Sequence, residues 1–390
     1  MNEMPGNRRV IICGWFRYPR GDATANYIQY LTMALLEAGY HVEILSRINE
    51  LESPQPLDNF AIHNICSTNK SRFLRRVENG KLFPLYFSKK LREFNLNADD
   101  VVIVHPSFRA MDKLLAIKKK TGFKTVCLPL EWFGREQYLS DKEYMKGEQE
   151  FQNNKEHNLL FPISTHIREQ FPGTPCLVLP IMADISNVEY RDKSRGKYIF
   201  VFPAHGFMKD AIGEMLRGIV LLTDNQINKI EFHFTGIRTD SLLKYLSHDE
   251  YKKIEQSVIL HSWMEYGDLI ELYQKAHFLL LARETNQMTL SNFPSKVPEV
   301  MTYGVVPVVS RVGDYTKFYL EDGVNSIIFD GYNAECCAKA IERALQLPFE
   351  EYHMLSDGAR QCVRDKFDYH NWTEKIKNAI EEMFYNDNEC

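Results

Sequence analysis

Long apolar runs are missing from this sequence of 390 residues: the first, 10–13, is far shorter than the roughly 20 residues that span a bilayer. With the short polar stretch before it, this predicts a chain without a signal peptide or anchor that stays in the cytoplasm. A large excess of charge of one sign is also lacking. A formal net charge of −5 provides no general attraction to nucleic acid, and none is expected as a partner. The eight cysteines include no C-x-x-C pair, and several fall in apolar runs where a thiol behaves as a small hydrophobe, so we expect them to be reduced and structural. No zinc-ligand spacing, G-x-S-x-G, His-Glu-x-x-His or D-x-D triad is present; Asp99-Asp100 reads as a turn before a strand. With 44% hydrophobic and 25% charged residues and no biased tract, the composition is that of a globular protein, and the length suggests two domains.

Short β-branched or apolar runs occur at 10–13, 41–45, 60–65, 101–104, 125–130, 159–163 and 177–180, with helical patterns between several of them. That alternation predicts a parallel sheet. In the first helix Ile28, Leu31, Leu35 and Ala38 recur at three- and four-residue steps, Asp22 can cap the start and Gly39 ends it. A second series of strands follows at 198–202, 230–235, 258–260, 278–281, 306–310 and 326–329. Between the two lies the charged, strand-poor stretch 183–197. The domains are therefore set at 1–186 and 187–366, followed by a C-terminal segment 367–390 whose helical face, Trp372, Ile376, Ile380 and Met383, can pack on either domain, crossing back to the first.

Open α/β sheets bind ligands at the carboxyl ends of their strands, which directs attention to the loops there. The loop 14–21 leaves the first strand and enters the first helix. Its glycines let a backbone approach a ligand, and Arg20 and Gly21 are candidates for an acceptor or phosphate contact, but a nicotinamide fingerprint is absent and a plain turn is an equal reading. The strand 198–202 runs into 203–210, where free backbone N–H groups and Lys209 form anion-binding geometry suited to a diphosphate. In 283–304 a loop enters a helix with Glu299 in its first turn, where the dipole favours a carboxylate that can also accept hydrogen bonds from a sugar diol.

Taken in order, the segments 14–46 and 179–184, the Lys209-Asp210 turn, 234–236, 259–276 and above all 293–309 resemble the large retaining glycosyltransferase family GT4. The resemblance covers nearly the whole chain. It implies an α/β GT-B fold, two Rossmann-like doubly wound domains facing across a cleft, the first binding an acceptor and the second a nucleotide-sugar. Residue by residue, the second glutamate of the family's E-x7-E motif falls on Glu299, which implies a contact to the donor's ribose hydroxyls. The first falls on Ser291, so Ser291, Asn292 and the backbone at Phe293-Pro294 stand as candidates for the sugar contact, and Ser295 and Lys296 are further donor-binding candidates. The family's phosphate-binding arginine and lysine fall on Ala204 and Lys209; His205, the Gly206 backbone or Lys296 can supply the missing donors. The loop 261–264 corresponds to the nucleobase loop, with His261 and Trp263 open to base contact or to ordinary packing. Where the family often has a histidine near the transferred sugar, this chain has Glu131, with His105 as second choice.

The reaction implied is transfer of a sugar from a nucleotide-sugar donor to a glycan or lipid-linked acceptor, with retention, in cell-surface polysaccharide or glycolipid synthesis. The donor is a substrate, so no cofactor is required, and a cationic, amide-rich cleft can stabilise the leaving diphosphate without a metal. Residues 70–92 interleave basic and aromatic side chains and can hold the protein to the inner face of a membrane, although a solvated helical face has the same pattern. Two rivals share the pattern: a sugar-nucleotide 2-epimerase and a non-catalytic two-domain sugar-binding protein.

Overall fold

The computed structural model describes residues 8–19, 23–48, 59–105, 110–186, 188–193, 196–203 and 209–385. The chain forms two compact units, one built from residues up to Met182 together with the C-terminal helix His370–Tyr385, the other from Ala183 to Asp368.

The first unit holds a six-stranded parallel sheet of β1 (Arg9–Tyr18), β2 (His41–Ile48), β3 (Phe60–Asn64), β4 (Val101–Val104), β5 (Lys124–Cys127) and β6 (Leu159–Leu160) in the order β3-β2-β1-β4-β5-β6. The central strands read as continuous apolar runs because helices cover both faces; Val10 to Cys13 and Val101 to Val104 are fully buried. The helix Ala23–Glu37 buries Tyr27, Ile28, Leu31 and Leu35, and Gly39 ends it at φ 91°, a left-handed position that glycine reaches without a Cβ clash. Asp22, its expected cap, lies outside the described residues.

Three expected features of this unit are corrected. β1 does not stop at residue 13 but continues to Tyr18, with a register shift against β2 between Cys13 and Arg17, so Gly14 belongs to a strand and not to a loop. A Cβ on Gly14 would stand 2.8 Å from the Cβ of His105 and 2.7 Å from the Phe16 ring, so the glycine leaves room for packing. The runs at 159–163 and 177–180 do not form full strands. β6 ends after two residues because Pro129, next on the β5 side, has no N–H to return, although Phe161 N–H still donates to Cys127 O and Ile163 N–H to Pro129 O. On its other side 177–180 lies alongside through two bonds, Leu177 N–H to Leu160 O and Leu179 N–H to Pro162 O, and Pro162 returns none.

The helix His370–Tyr385 buries Ile376, Ile380 and Met383. Arg8 pairs with Glu381 at 3.1 Å, and the Tyr40 hydroxyl donates to the same carboxylate at 2.7 Å. The last helix thus closes onto the first strand and the turn after the first helix.

The second unit repeats the plan with β7 (Tyr198–Pro203), β8 (Ile230–Thr235), β9 (Val258–His261), β10 (Phe278–Leu281), β11 (Val306–Ser310) and β12 (Ile327–Phe329), all parallel, in the order β12-β11-β10-β7-β8-β9. Stacked Phe200, Phe232 and Phe278 fill its centre at centroid distances of 4.8 and 5.0 Å. In the charged stretch before β7, Lys193 is buried and donates to the carbonyls of Tyr273 and Gln274, the last turn of the helix Tyr266–Lys275, where a cation complements the dipole. Among the described residues no helix is long and apolar enough to cross a membrane, and seven cysteines form no disulfide.

Gly14→Ala should lower the stability of the first unit by about 1–3 kcal/mol, because the added methyl has no space between His105 and Phe16. A urea midpoint unchanged from wild type would contradict that packing.

Candidate functional site

In each sheet the strand order reverses beside the first strand, and the loops leaving two neighbouring strands part to opposite sides there. In the second unit this point lies between β7 and β10. From β7 come Lys209 and Asp210; from β10 come Arg283 and then the helices Gln287–Ser291 and Lys296–Met301.

These elements meet at Asp210. Its carboxylate accepts from Arg283 Nε at 2.7 Å and from Lys296 Nζ at 2.6 Å. Arg283 is 4% exposed and Asp210 9%, so the network is largely out of water. Arg283 is held further: its backbone N–H donates to the Ser310 hydroxyl at the end of β11, and Nη1 donates to Asn292 Oδ1 at 3.0 Å. Its Nη2 has no partner among the described residues. Lys296 also lies over the Phe202 ring at 4.1 Å, a cation–π contact from the strand beneath.

The two cations hold the Asp210 carboxyl far below its usual range despite burial, while burial, Arg283 and Lys209 push Lys296 below its usual value against the pull of Asp210. Two cations share one anion, and Lys209 adds a third positive charge nearby. Around the Asp210 carboxylate the positive groups outnumber it, which favours an anionic ligand.

Glu299 is in the first turn of the helix Lys296–Met301 and is half-buried. Burial pushes its carboxyl up to about 7, with Lys296 opposing, and no described residue hydrogen-bonds to it. Burial raises the phenols of Tyr273 and Tyr303, and the Glu299 charge adds to the rise. A half-buried carboxylate without a protein donor is suited to accept hydrogen bonds from a hydroxyl-bearing ligand.

The other anticipated residues are distributed as follows. The Ser291 hydroxyl is fully buried and donates to Met288 O at 3.0 Å; Asn292 fastens Arg283; Phe293 is packed among Tyr315, Tyr319 and Phe367. Pro294 is buried, and Ser295 begins the helix without a side-chain cap bond. Trp263 is 66% exposed beyond β9, and His261 Nε2 meets His233 Nδ1 at 3.0 Å. His105 and Glu131 belong to the first unit, after β4 and β5; the His105 N–H donates to Cys13 O at 3.0 Å, at that sheet's own reversal point, and Glu131 is half-buried beside Trp132. Arg20, Gly21, His205 and Gly206 lie outside the described residues. Two residues were missed by sequence reasoning, Arg283 and Asp210. The available signal was position: one follows the apolar run 278–281 and the other follows Lys209, each at a strand's carboxyl end.

Residues 188–362 match the family described as Glycosyl transferases group 1. Among curated proteins no match to the chain is found. Solved structures with the same GT-B architecture include a sucrose-phosphate synthase from Thermosynechococcus elongatus, with TM-score 0.71 and 12% identity over 97% of this chain and 100% of that one. A glycosyltransferase from Rickettsia africae follows at TM-score 0.68 and 12% identity over 97% and 99%. Anabaena HepE in complex with UDP and glucose has TM-score 0.68 and 10% identity over 96% and 100%. The fold of this chain is thus GT-B, two Rossmann-like α/β units, and its second unit carries the group 1 glycosyltransferase signature.

Asp210→Ala should destabilise the protein by about 3–5 kcal/mol, since it leaves two buried cations uncompensated, and the double variant D210A/K296M should recover much of the loss. Thermal unfolding of the three proteins checks this; equal melting of wild type and D210A would remove the network from the account.

Proposed function

We propose that the protein is a metal-independent retaining glycosyltransferase that moves a sugar from a nucleotide-sugar donor to a glycan or lipid-linked acceptor, in cell-surface polysaccharide or glycolipid synthesis. The observation that carries the reading is the pairing of a cation cluster, Lys209, Arg283 and Lys296, with the open carboxylate of Glu299. A nucleoside diphosphate suits both parts: a dianion for the group of cations and a ribose diol for Glu299.

In this reading Arg283 replaces the arginine absent at Ala204, and Lys209 and Lys296 share the leaving diphosphate. The bond from the anomeric carbon to the phosphate oxygen breaks as the acceptor oxygen bonds to the same face. The acceptor's proton passes to the departing phosphate oxygen, so no protein base is required. The cations stabilise the charge that grows on that phosphate. Removing one such donor costs about 100- to 1,000-fold in kcat, and Lys209→Ala should fall in that range. His105 and Glu131 are assigned to the acceptor side, in the first unit.

Thermal stabilisation by UDP-, GDP-, ADP- and CMP-sugars tests the donor site: ligand at about 100 times its Kd adds roughly 2.7 kcal/mol. One nucleotide class should raise the melting temperature, and Glu299→Ala and Lys209→Ala should abolish the shift. Sugar conversion without acceptor would instead indicate an epimerase, and binding without turnover a sugar-binding protein. Turnover that survives EDTA, and a product of unchanged anomeric configuration by NMR, would support metal independence and retention.

The pH dependence follows from Glu299. The ribose diol requires the ionised carboxylate, so lowering pH through about 7 should weaken donor binding, up to about tenfold per unit, with proton release on binding. Glu299→Gln should flatten that profile; an unchanged profile would assign the titration elsewhere.

A further inference from the structure

The helix Arg72–Asn79 buries none of its residues. It has eight residues, too few to be stable alone in water, and three arginines, Arg72, Arg75 and Arg76, that repel one another at three- and four-residue spacing. It packs against the helix Phe83–Glu93, which is anchored: Phe83, Phe87 and Leu91 enter the core of the first unit, and Phe83 meets Trp15 edge-on at 4.7 Å.

The outer side of this helix pair is both apolar and cationic. Phe73 is 73% exposed, Leu85 59%, Leu74 47% and Leu82 44%, the densest group of exposed large apolar side chains among the described residues. Around them stand Lys70, Arg72, Arg75, Arg76, Lys81, Lys89 and Arg92, all exposed, with Leu85, Lys89 and Arg92 spaced along one face of the second helix. Eight basic and two acidic residues lie between Lys70 and Glu93, in a chain whose formal net charge is −5. Both acids are occupied, Glu78 by the Ser67 hydroxyl and Glu93 by Lys90 at 2.9 Å. A face with this composition finds its complement where anionic groups lie directly above hydrocarbon.

We propose that the helices Arg72–Asn79 and Phe83–Glu93 form a docking face for an anionic phospholipid surface, with Phe73, Leu74, Leu82 and Leu85 entering the headgroup region and the basic side chains meeting the phosphates. The apolar insertion would supply the burial that the short helix lacks, and the lipid phosphates would relieve its arginine repulsion. The inference rests on this surface alone and holds whatever reaction the second unit performs.

The test is co-sedimentation of the full-length protein with vesicles of phosphatidylcholine alone and with 30% phosphatidylglycerol, across a salt series. Wild type should bind only the anionic vesicles, with affinity falling as salt rises. The triple variant R72E/R75E/R76E should bind about a hundredfold more weakly, each reversal removing at least one near-surface cation. The variant F73S/L85S should lose affinity even at low salt. All these side chains are solvent-exposed, so unchanged circular dichroism and melting temperature are expected and establish that each variant is folded. Absence of wild-type binding, or equal binding by both variants, overturns the proposal. So does F73S/L85S binding as wild type while R72E/R75E/R76E fails on vesicles and single-stranded RNA alike, which would make the face a polyanion site.

Discussion

Asp210 is the constraint on which the second unit's site depends. It joins a residue leaving β10 to one at the start of the helix Lys296–Met301, in surroundings where water screens little of the repulsion between two cations. Placing three charges there has a desolvation cost that attraction seldom repays with surplus, so such a network is weak evidence for stability and stronger evidence for placement. Its effect is to hold an excess of positive charge in a fixed geometry at the carboxyl edge of the sheet. Asn292 and Ser310 reinforce that placement from two further segments.

The location follows from topology. Parallel strands direct all their carboxyl ends to one edge, and only where the winding reverses do adjacent loops separate enough for side chains to converge between them. β7 and β10 are that pair in the second unit, and Asp210 and Arg283 are what they deliver. In the first unit the pair is β1 and β4, where Gly14 gives His105 its room. The same rule thus selects a charged contact in one sheet and a tight apolar contact in the other, and the difference lies in the side chains.

Much of the fold was legible because parallel strands buried on both faces are continuous apolar runs, as at 101–104 and 278–281, and because Gly39 ends its helix by a local rule. The runs at 159–163 and 177–180 misled because apolar character does not say which backbone groups can donate; Pro129 on one side and Pro162 on the other each lack an N–H for the ladder. Glu299 and Lys209 were legible through their place at helix starts and strand ends. Arg283 and Asp210 were not, since their partnership spans 73 positions and exists only when β7 and β10 are neighbours. Local pattern carries the elements, whereas a buried ion pair is a property of their arrangement.

Ser291 shows how the arrangement also limits function. Its hydroxyl is fully buried and bonded within its own helix, and the side chain of Asn292 is engaged by Arg283. Phe293 points into an aromatic cluster. In the proposed reading, a sugar lying against this segment finds little side-chain polarity, and its hydroxyls must be met by backbone groups near Phe293 and Pro294. Backbone amides offer donors without charge, so they orient a sugar but do little to balance a cationic centre. Charge recognition then falls to the diphosphate and ribose, through Arg283, Lys296, Lys209 and Glu299. Selectivity at this end of the donor should accordingly rest on shape more than on a carboxylate contact.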